Sequence, residues 1–265
     1  MNIVALSPWD LAAAAVLVLL LAFLSLRLRL GVEGRILIAA ARTTVQLLLV
    51  GLVLEVLFAH ARLYWVTLMA VVMLLVAGRE VMARQERRFR GVWGFGLGTV
   101  SMFISSFAVV VLTLQLIIGN DPWYAPQYAI PLLGMLLGNT MNGIALGLER
   151  LTSGIWQQRA VIEGRLVLGA TAAEAVGGLR REAMRVGMIP MINAMAAAGI
   201  VSLPGMMTGQ ILSGTPPVEA VKYQILIMFL ITAGAGFGTM AAVWVGARRL
   251  FDERDRLRLE RLSGP

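Results

Sequence analysis

The sequence predicts an all-α, polytopic transmembrane bundle of about seven helices, with its N-terminus outside and its C-terminus in the cytoplasm. Three observations predict it. Of the 265 residues, 58% are hydrophobic and 14% charged, against roughly 45–50% and about 25% in a soluble domain. The apolar residues gather in runs of about 20 or more, long enough to cross a hydrocarbon core roughly 30 Å thick. They lack the two-faced alternation of a soluble bundle. Basic residues, finally, gather on alternate connections between those runs.

The expected helices are 9–27, 36–58, 63–83, 92–118, 127–149, 186–211 and 222–247. The first is followed by positive charges, Arg27 and Arg29, and residues 1–10 hold no basic n-region. That order predicts a retained, N-out helix and no cleavable signal peptide. The segments 27–35, 79–91, 150–185 and the tail after 247 carry 20 of the 23 basic residues. The positive-inside rule makes that side cytoplasmic, and a miscounted helix would scramble the segregation. Only Arg62 and Lys222 fall on the other side, with Arg42 inside a helix. Segment 119–126 (GNDPWYAP) is an outer turn whose Trp123 and Tyr124 suit the headgroup level; 212–217 is another. No second domain is expected: residues 1–265 form one membrane domain.

Composition also excludes. With no cysteine and His60 as the single histidine, thiolate chemistry, disulfides and a His-clustered metal site within one chain are ruled out. The net charge of +8 would suggest nucleic acid in a soluble protein. Its confinement to one membrane side assigns it to topology instead, so no nucleic-acid partner is expected.

The long cytoplasmic connection, 150–185, carries the most specific signal. Residues 155–168 look helical and amphipathic. Gly169 and Ala170 break the run. Thr171 with Glu174 then fits a capping box, in which hydroxyl and carboxylate satisfy free amides at a new helix start. The result is a helix–turn–helix on the cytoplasmic face. Glu163, then Leu168, Gly169, Ala170 and Thr171, then Ile189-Pro190, resemble the coupling motif of ABC-transporter permeases. Gly164 and Arg165 stand where that motif has alanines, and Pro190 lies further downstream than in importers. An ordinary amphipathic surface loop is the alternative.

Three stretches widen the resemblance: 42–58 (RTTVQLLLVGLVLEVLF), 131–142 (PLLGMLLGNTMN) and 189–224, within which PGMMTGQ at 204–210 is the most specific element. They look like the FetB-type permease family, which includes bacterial iron-export permeases and plant relatives in aluminium tolerance. The resemblance implies a permease subunit in a bacterial cytoplasmic (inner) membrane, working in metal efflux, iron in particular. It further implies that ATP and Mg sit on a separate ATP-binding subunit docked at Glu163, Leu168, Gly169, Ala170 and Thr171. The chain's own residues agree that the motor lies elsewhere. A P-loop needs a Gly-Lys-Ser/Thr end, and the only lysine is Lys222, in a Val-Lys-Tyr context. No cofactor and no enzymatic activity are therefore expected of this chain. Seven helices are few for a complete path, so a homodimer with two ATPases is the expected assembly.

Polar residues inside a bilayer are costly and face a cavity or another helix. Met135, Asn139 and Asn142 share one helix face near mid-depth, with Thr140 beside them. Gly134 and Gly138 form a small-xxx-small pair that would admit a neighbouring helix. This set is either a translocation path or interhelical glue. Met191 and Met195 belong to a methionine stripe (Met184, Met188, Met191, Met195), with Asn193 nearby. The stripe is either adaptable packing or a ligand set, and packing is the commoner role. Pro190 and Pro204-Gly205 should bend or break their helix. Pro204, Gly205 and Gln210 then form an outer gate, a re-entrant segment or a kinked cap. Arg42, Gln46 and Glu55 are the intramembrane polar residues of the second helix. Arg42 either snorkels, pairs with another helix or meets an anionic group.

Three other readings compete. An ion-coupled carrier or channel commonly needs intramembrane acids or histidine, and here only Glu55 lies well inside a helix. A permease for an organic substrate fits the amides and thioethers. A membrane scaffold needs no polar path at all.

Overall fold

The computed structural model describes residues 7–263 and is all-helical apart from one two-residue strand pair. The chain divides into two units, one holding Met1–Arg62 with Leu212–Gly214, the other Leu63–Ile211 with Thr215–Pro265.

The first unit is a hairpin of α1 (Pro8–Arg27) and α2 (Glu33–Ala59). Ser7 caps α1 reciprocally with Asp10. At the other end, the buried Ser25 hydroxyl donates to the Glu33 carboxylate at 3.1 Å and closes the hairpin. Arg42, Gln46 and Glu55 are exposed on α2.

The second unit is a bundle. α3 (Leu63–Ala83) leads through β1 (Arg88–Phe89) into a span of α4 (Val92–Met102) and α5 (Ala108–Leu112), each followed by a π-helical turn, at Phe103–Phe107 and Thr113–Ile118. Then come α6 (Pro126–Gln157), α7 (Arg159–Val167), α8 (Ala172–Ala175), α9 (Gly177–Ala197), α10 (Gly205–Leu212) and α11 (Pro217–Arg249). α6 is the core helix and packs against α3, α9 and α11. Among the described residues, six helices are long and apolar enough to cross a membrane; α9 is not one of them. The chain is thus a polytopic membrane protein with about seven helical segments, and the sixth expected segment is interrupted.

Three sequence expectations are corrected. The fifth expected helix does not stop at 149: α6 runs on to Gln157, and Gly154 does not stop it because that position packs against Leu179 of α9. Pro190 does not break α9, which continues to Ala197; the break comes at residues 198–204. There Gly199 adopts φ +83°, a left-handed conformation that favours glycine. Its amide donates to Ser202 O, while Val201 and Ser202 amides return to Ala197 O. Pro204 then leads into α10, where its missing N–H costs no helical bond. Lastly, within the chain the closest backbone crossing is not at the Gly134/Gly138 pair. A Cβ on Gly138 would meet nothing within 4 Å, and one on Gly134 only the flexible end of Met73. The tight crossing is at Gly143 and Gly187, where α6, α9 and α11 meet. A Cβ on Gly187 would lie 2.5 Å from Gly143 O and 2.6 Å from Thr239 Cγ2.

Candidate transport path and coupling face

The expected path residues separate into different environments. Thr140 is wholly buried and accepts a hydrogen bond from Ser106 Oγ at 3.3 Å. Gly238 of α11 lies against it, since a Cβ there would be 2.6 Å from Thr140 Cγ2. Thr140 is a joint between three elements. Met191 is buried in the core and Met184, Met188 and Met195 are half-buried along the same helix, while Asn193 is exposed on another face.

Met135, Asn139 and Asn142 do form a half-exposed stripe on α6, with Gly138 open between them. The Asn139 amide donates back to Met135 O at 2.7 Å, so its carbonyl oxygen is the end left to face outward. Asn142 accepts from the guanidinium of Arg84. Met135 also borders a small enclosed cavity of about 40 Å³ with Met206 of α10, Tyr128 and Tyr223. The structure thereby brings the path residue Met135 to the same cavity as the segment holding Pro204, Gly205 and Gln210. Thr208 Oγ1 donates to Pro204 O at 3.3 Å and fixes the start of α10; Gln210 is half-buried.

At the Arg-rich side, α6, α7, the turn and α8 form a projecting hairpin. Gly169 adopts φ +92° with open space about it. Its amide donates to Leu166 O and that of Ala170 to Arg165 O, closing α7. The expected capping box is present: Thr171 Oγ1 accepts from Glu174 N at 3.3 Å, and the Glu174 carboxylate accepts from Thr171 N at 2.9 Å. That backbone bond, with a second from the Thr171 hydroxyl, holds the Glu174 carboxyl below its ordinary value. Arg165 reaches across to Ala175 O, and Arg150 pairs with Glu182 between α6 and α9. Val167 and Leu168 stand 86% and 88% exposed at the tip.

Sequence reasoning missed what grips the α3–α4 connection. Glu86 N donates to Glu149 at 2.7 Å, Thr152 Oγ1 donates to Arg87 O at 2.8 Å, and the Arg87 guanidinium lies 4.1 Å from the Trp156 ring. Glu149 ends the expected helix, and Thr152 and Trp156 lie on its continuation toward the turn. From the other side the tail folds back. β2 (Leu262–Ser263) pairs antiparallel with β1, and Arg261 Nη1 donates to Arg249 O and Phe251 O. Asp252 gathers the amides of Arg254 and Arg256 and the side chains of Arg256 and Arg258. The Arg256 amide foremost brings its carboxyl down to about 2. The i, i+3, i+7 spacing of Glu149, Thr152 and Trp156 hinted at a gripping face, but nothing local named its partner.

Comparison with known proteins places these features. A family profile described as "Uncharacterised protein family (UPF0014)" matches residues 8–251. The chain is similar to the UPF0014 membrane protein slr1647 of Synechocystis, 41% identical over 231 residues, covering 86% of this chain and 87% of that one. It is 30% identical over 259 residues to the probable iron export permease protein FetB of Escherichia coli, covering 96% of each. Protein ALUMINUM SENSITIVE 3 of Arabidopsis thaliana is 32% identical over 235 residues, covering 88% of this chain and 84% of that one. No solved structure matches the chain.

Proposed function

The chain belongs to the UPF0014 family of membrane proteins, and from that premise we propose that it is the permease subunit of an ABC transporter for metal efflux. Iron is the proposed substrate, after the name of its E. coli relative. Hydrolysis of ATP with Mg takes place on a separate subunit. The observation that carries this reading is the rigid, exposed turn at Leu168, Gly169, Ala170 and Thr171. It is braced by the capping box with Glu174 and projects Val167 and Leu168 away from the bundle. Glu163 stands on α7, beside the turn.

Closure of two ATPase subunits on ATP would displace the turn. α7 follows α6 after the single residue Gln158, so the displacement reaches the stripe of Met135, Asn139 and Asn142. It also reaches α3 and α4, because α6 holds their connection through Glu149, Thr152 and Trp156. The substrate path lies along the stripe, between two copies of the chain, in a bacterial inner membrane. Pro204, Gly205 and Gln210 belong to its outer gate.

Among the described residues no group of three or more His, Asp or Glu could hold a metal. Uncharged amide oxygens and thioethers, with no carboxylate beside them, hold a bare iron cation weakly. Iron therefore crosses either with ligands of its own or only weakly held in transit.

The test is co-purification in mild detergent. A separate ATP-binding subunit is expected with the wild type and lost with Gly169→Trp, while both chains insert equally. Retention of the ATPase by Gly169→Trp would remove the turn as docking site. Absence of any ATPase from the wild type, under conditions preserving other such complexes, would overturn the permease reading.

A further inference from the structure

The second unit carries an open groove of about 750 Å³ between the α4–α5 span and α11, lined by Trp93, Gly96, Ile104 and Leu112 on one side and Phe237 and Val245 on the other. Its volume is that of a ligand site. From Val92 to Leu112 it follows the helix for about 30 Å at 1.5 Å per residue, along the depth of the membrane. The walls are apolar except for two serines, and the Ser105 hydroxyl is engaged by Ser101 O at 2.9 Å.

One end is cationic. The Arg249 guanidinium lies 4.6 Å from the ring of Trp93, which itself lines the groove. Arg248 is its neighbour in the last turn of α11, and Arg90 is exposed two residues before Val92. α4 begins here and α11 ends here, so their dipoles oppose one another and the positive charge of this end is that of its arginines. The half of this apolar slot nearest the Arg-rich side, about 15 Å deep and closed by arginine, matches the acyl chain and anionic headgroup of a phospholipid in one leaflet. We propose that the groove holds an acyl chain of an anionic phospholipid of the cytoplasmic leaflet, its phosphate seated at Arg249 beside Trp93.

A second copy is the poorer occupant. Two concave faces leave the slot unfilled, and a two-fold would set one Arg249 mouth against another. The inference requires only that the chain lies in a membrane and is independent of the ATPase reading.

The floor offers a clean test. A Cβ on Gly96 meets nothing within 4 Å, so Gly96→Leu grows into the open slot without touching backbone, and Ala241→Leu does the same from α11. The full chain is purified, exchanged into nanodiscs of phosphatidylcholine with or without phosphatidylglycerol, and examined by native mass spectrometry. The wild type is expected to retain phosphatidylglycerol in preference to phosphatidylcholine. Gly96→Leu and Ala241→Leu should each lower retention about tenfold, a shift of about 1.4 kcal/mol. Arg249→Gln should abolish the headgroup preference while keeping lipid bound. Equal retention of both lipids by the wild type, or undiminished retention by both leucine variants, overturns the proposal. Loss of a dimer in both leucine variants, with lipid binding unchanged, assigns the groove to a second copy and overturns it too.

Discussion

At the scale of single residues, the cytoplasmic face depends on carboxylates that accept backbone amides. Thr171 and Glu174 exchange hydrogen bonds across the start of α8. Thr171→Ala removes one cap acceptor, and such losses cost about 1 kcal/mol. Expected is faster hydrogen exchange confined to α8 and the turn, with α6 unchanged. Asp252 acts alike in the tail. Its carboxyl is held at about 2 against an ordinary 3.8. Since the folded value is depressed, the stabilisation is complete above the ordinary value and is lost as pH falls toward the folded one. Protection of the Arg254 and Arg256 amides, measured by hydrogen exchange in the full chain and corrected for intrinsic rate, should be constant through neutral pH and decline only below about pH 4. Loss of protection near neutrality would show that another group holds the tail. Both acids were visible in the sequence, but only Thr171–Glu174 was marked there, by its capping-box spacing. The Asp252 bonds are equally local, to amides two and four residues on and to the Arg256 and Arg258 side chains.

At the scale of elements, α6 both packs the bundle and leads into the proposed coupling turn. Its packing rests on small residues, since apolar side chains gain nothing by leaving lipid for one another and helices associate through close backbone approach. Gly187→Val would drive a side chain against Gly143 O. Overpacking of this kind costs typically 1–3 kcal/mol. The expected outcome is a lower thermal midpoint in detergent, whereas Gly138→Ala, which meets open space, should leave the midpoint unchanged. An equal fall in both variants would refute the assigned crossing. The sequence marked Gly134 and Gly138 because their spacing is the expected one. Gly143 and Gly187 lie on different helices, and no spacing rule joins them.

At the scale of the whole molecule, membrane location and the segregation of arginine to one side fix which ends face the cytoplasm. One chain has a half-exposed polar stripe on α6, which a bilayer tolerates poorly unless another protein surface or a water-filled path covers it. The proposed assembly of two permeases with two ATPase subunits supplies that cover. Mass photometry of the co-purified complex should give that stoichiometry, and a one-to-one complex would remove the second copy from the path. In such an assembly Asn139→Leu should lower substrate-stimulated ATP hydrolysis without releasing the ATPase subunit, because the stripe and the docking turn are separate.

Local rules by themselves determined the membrane class, the approximate helices, the sidedness and the capped turn. Each follows from hydrophobic run length, charge placement or contacts within a few residues. Only the tertiary structure decided that α6 continues to Gln157, that the chain breaks at Gly199 and continues unbroken through Pro190, and that Met135 shares a cavity with Met206. It alone showed loop 84–91 held between α6 and the tail. The shared cavity and the held loop join residues tens to more than a hundred positions apart, and a linear pattern carries no information about which distant surfaces meet when backbones pack.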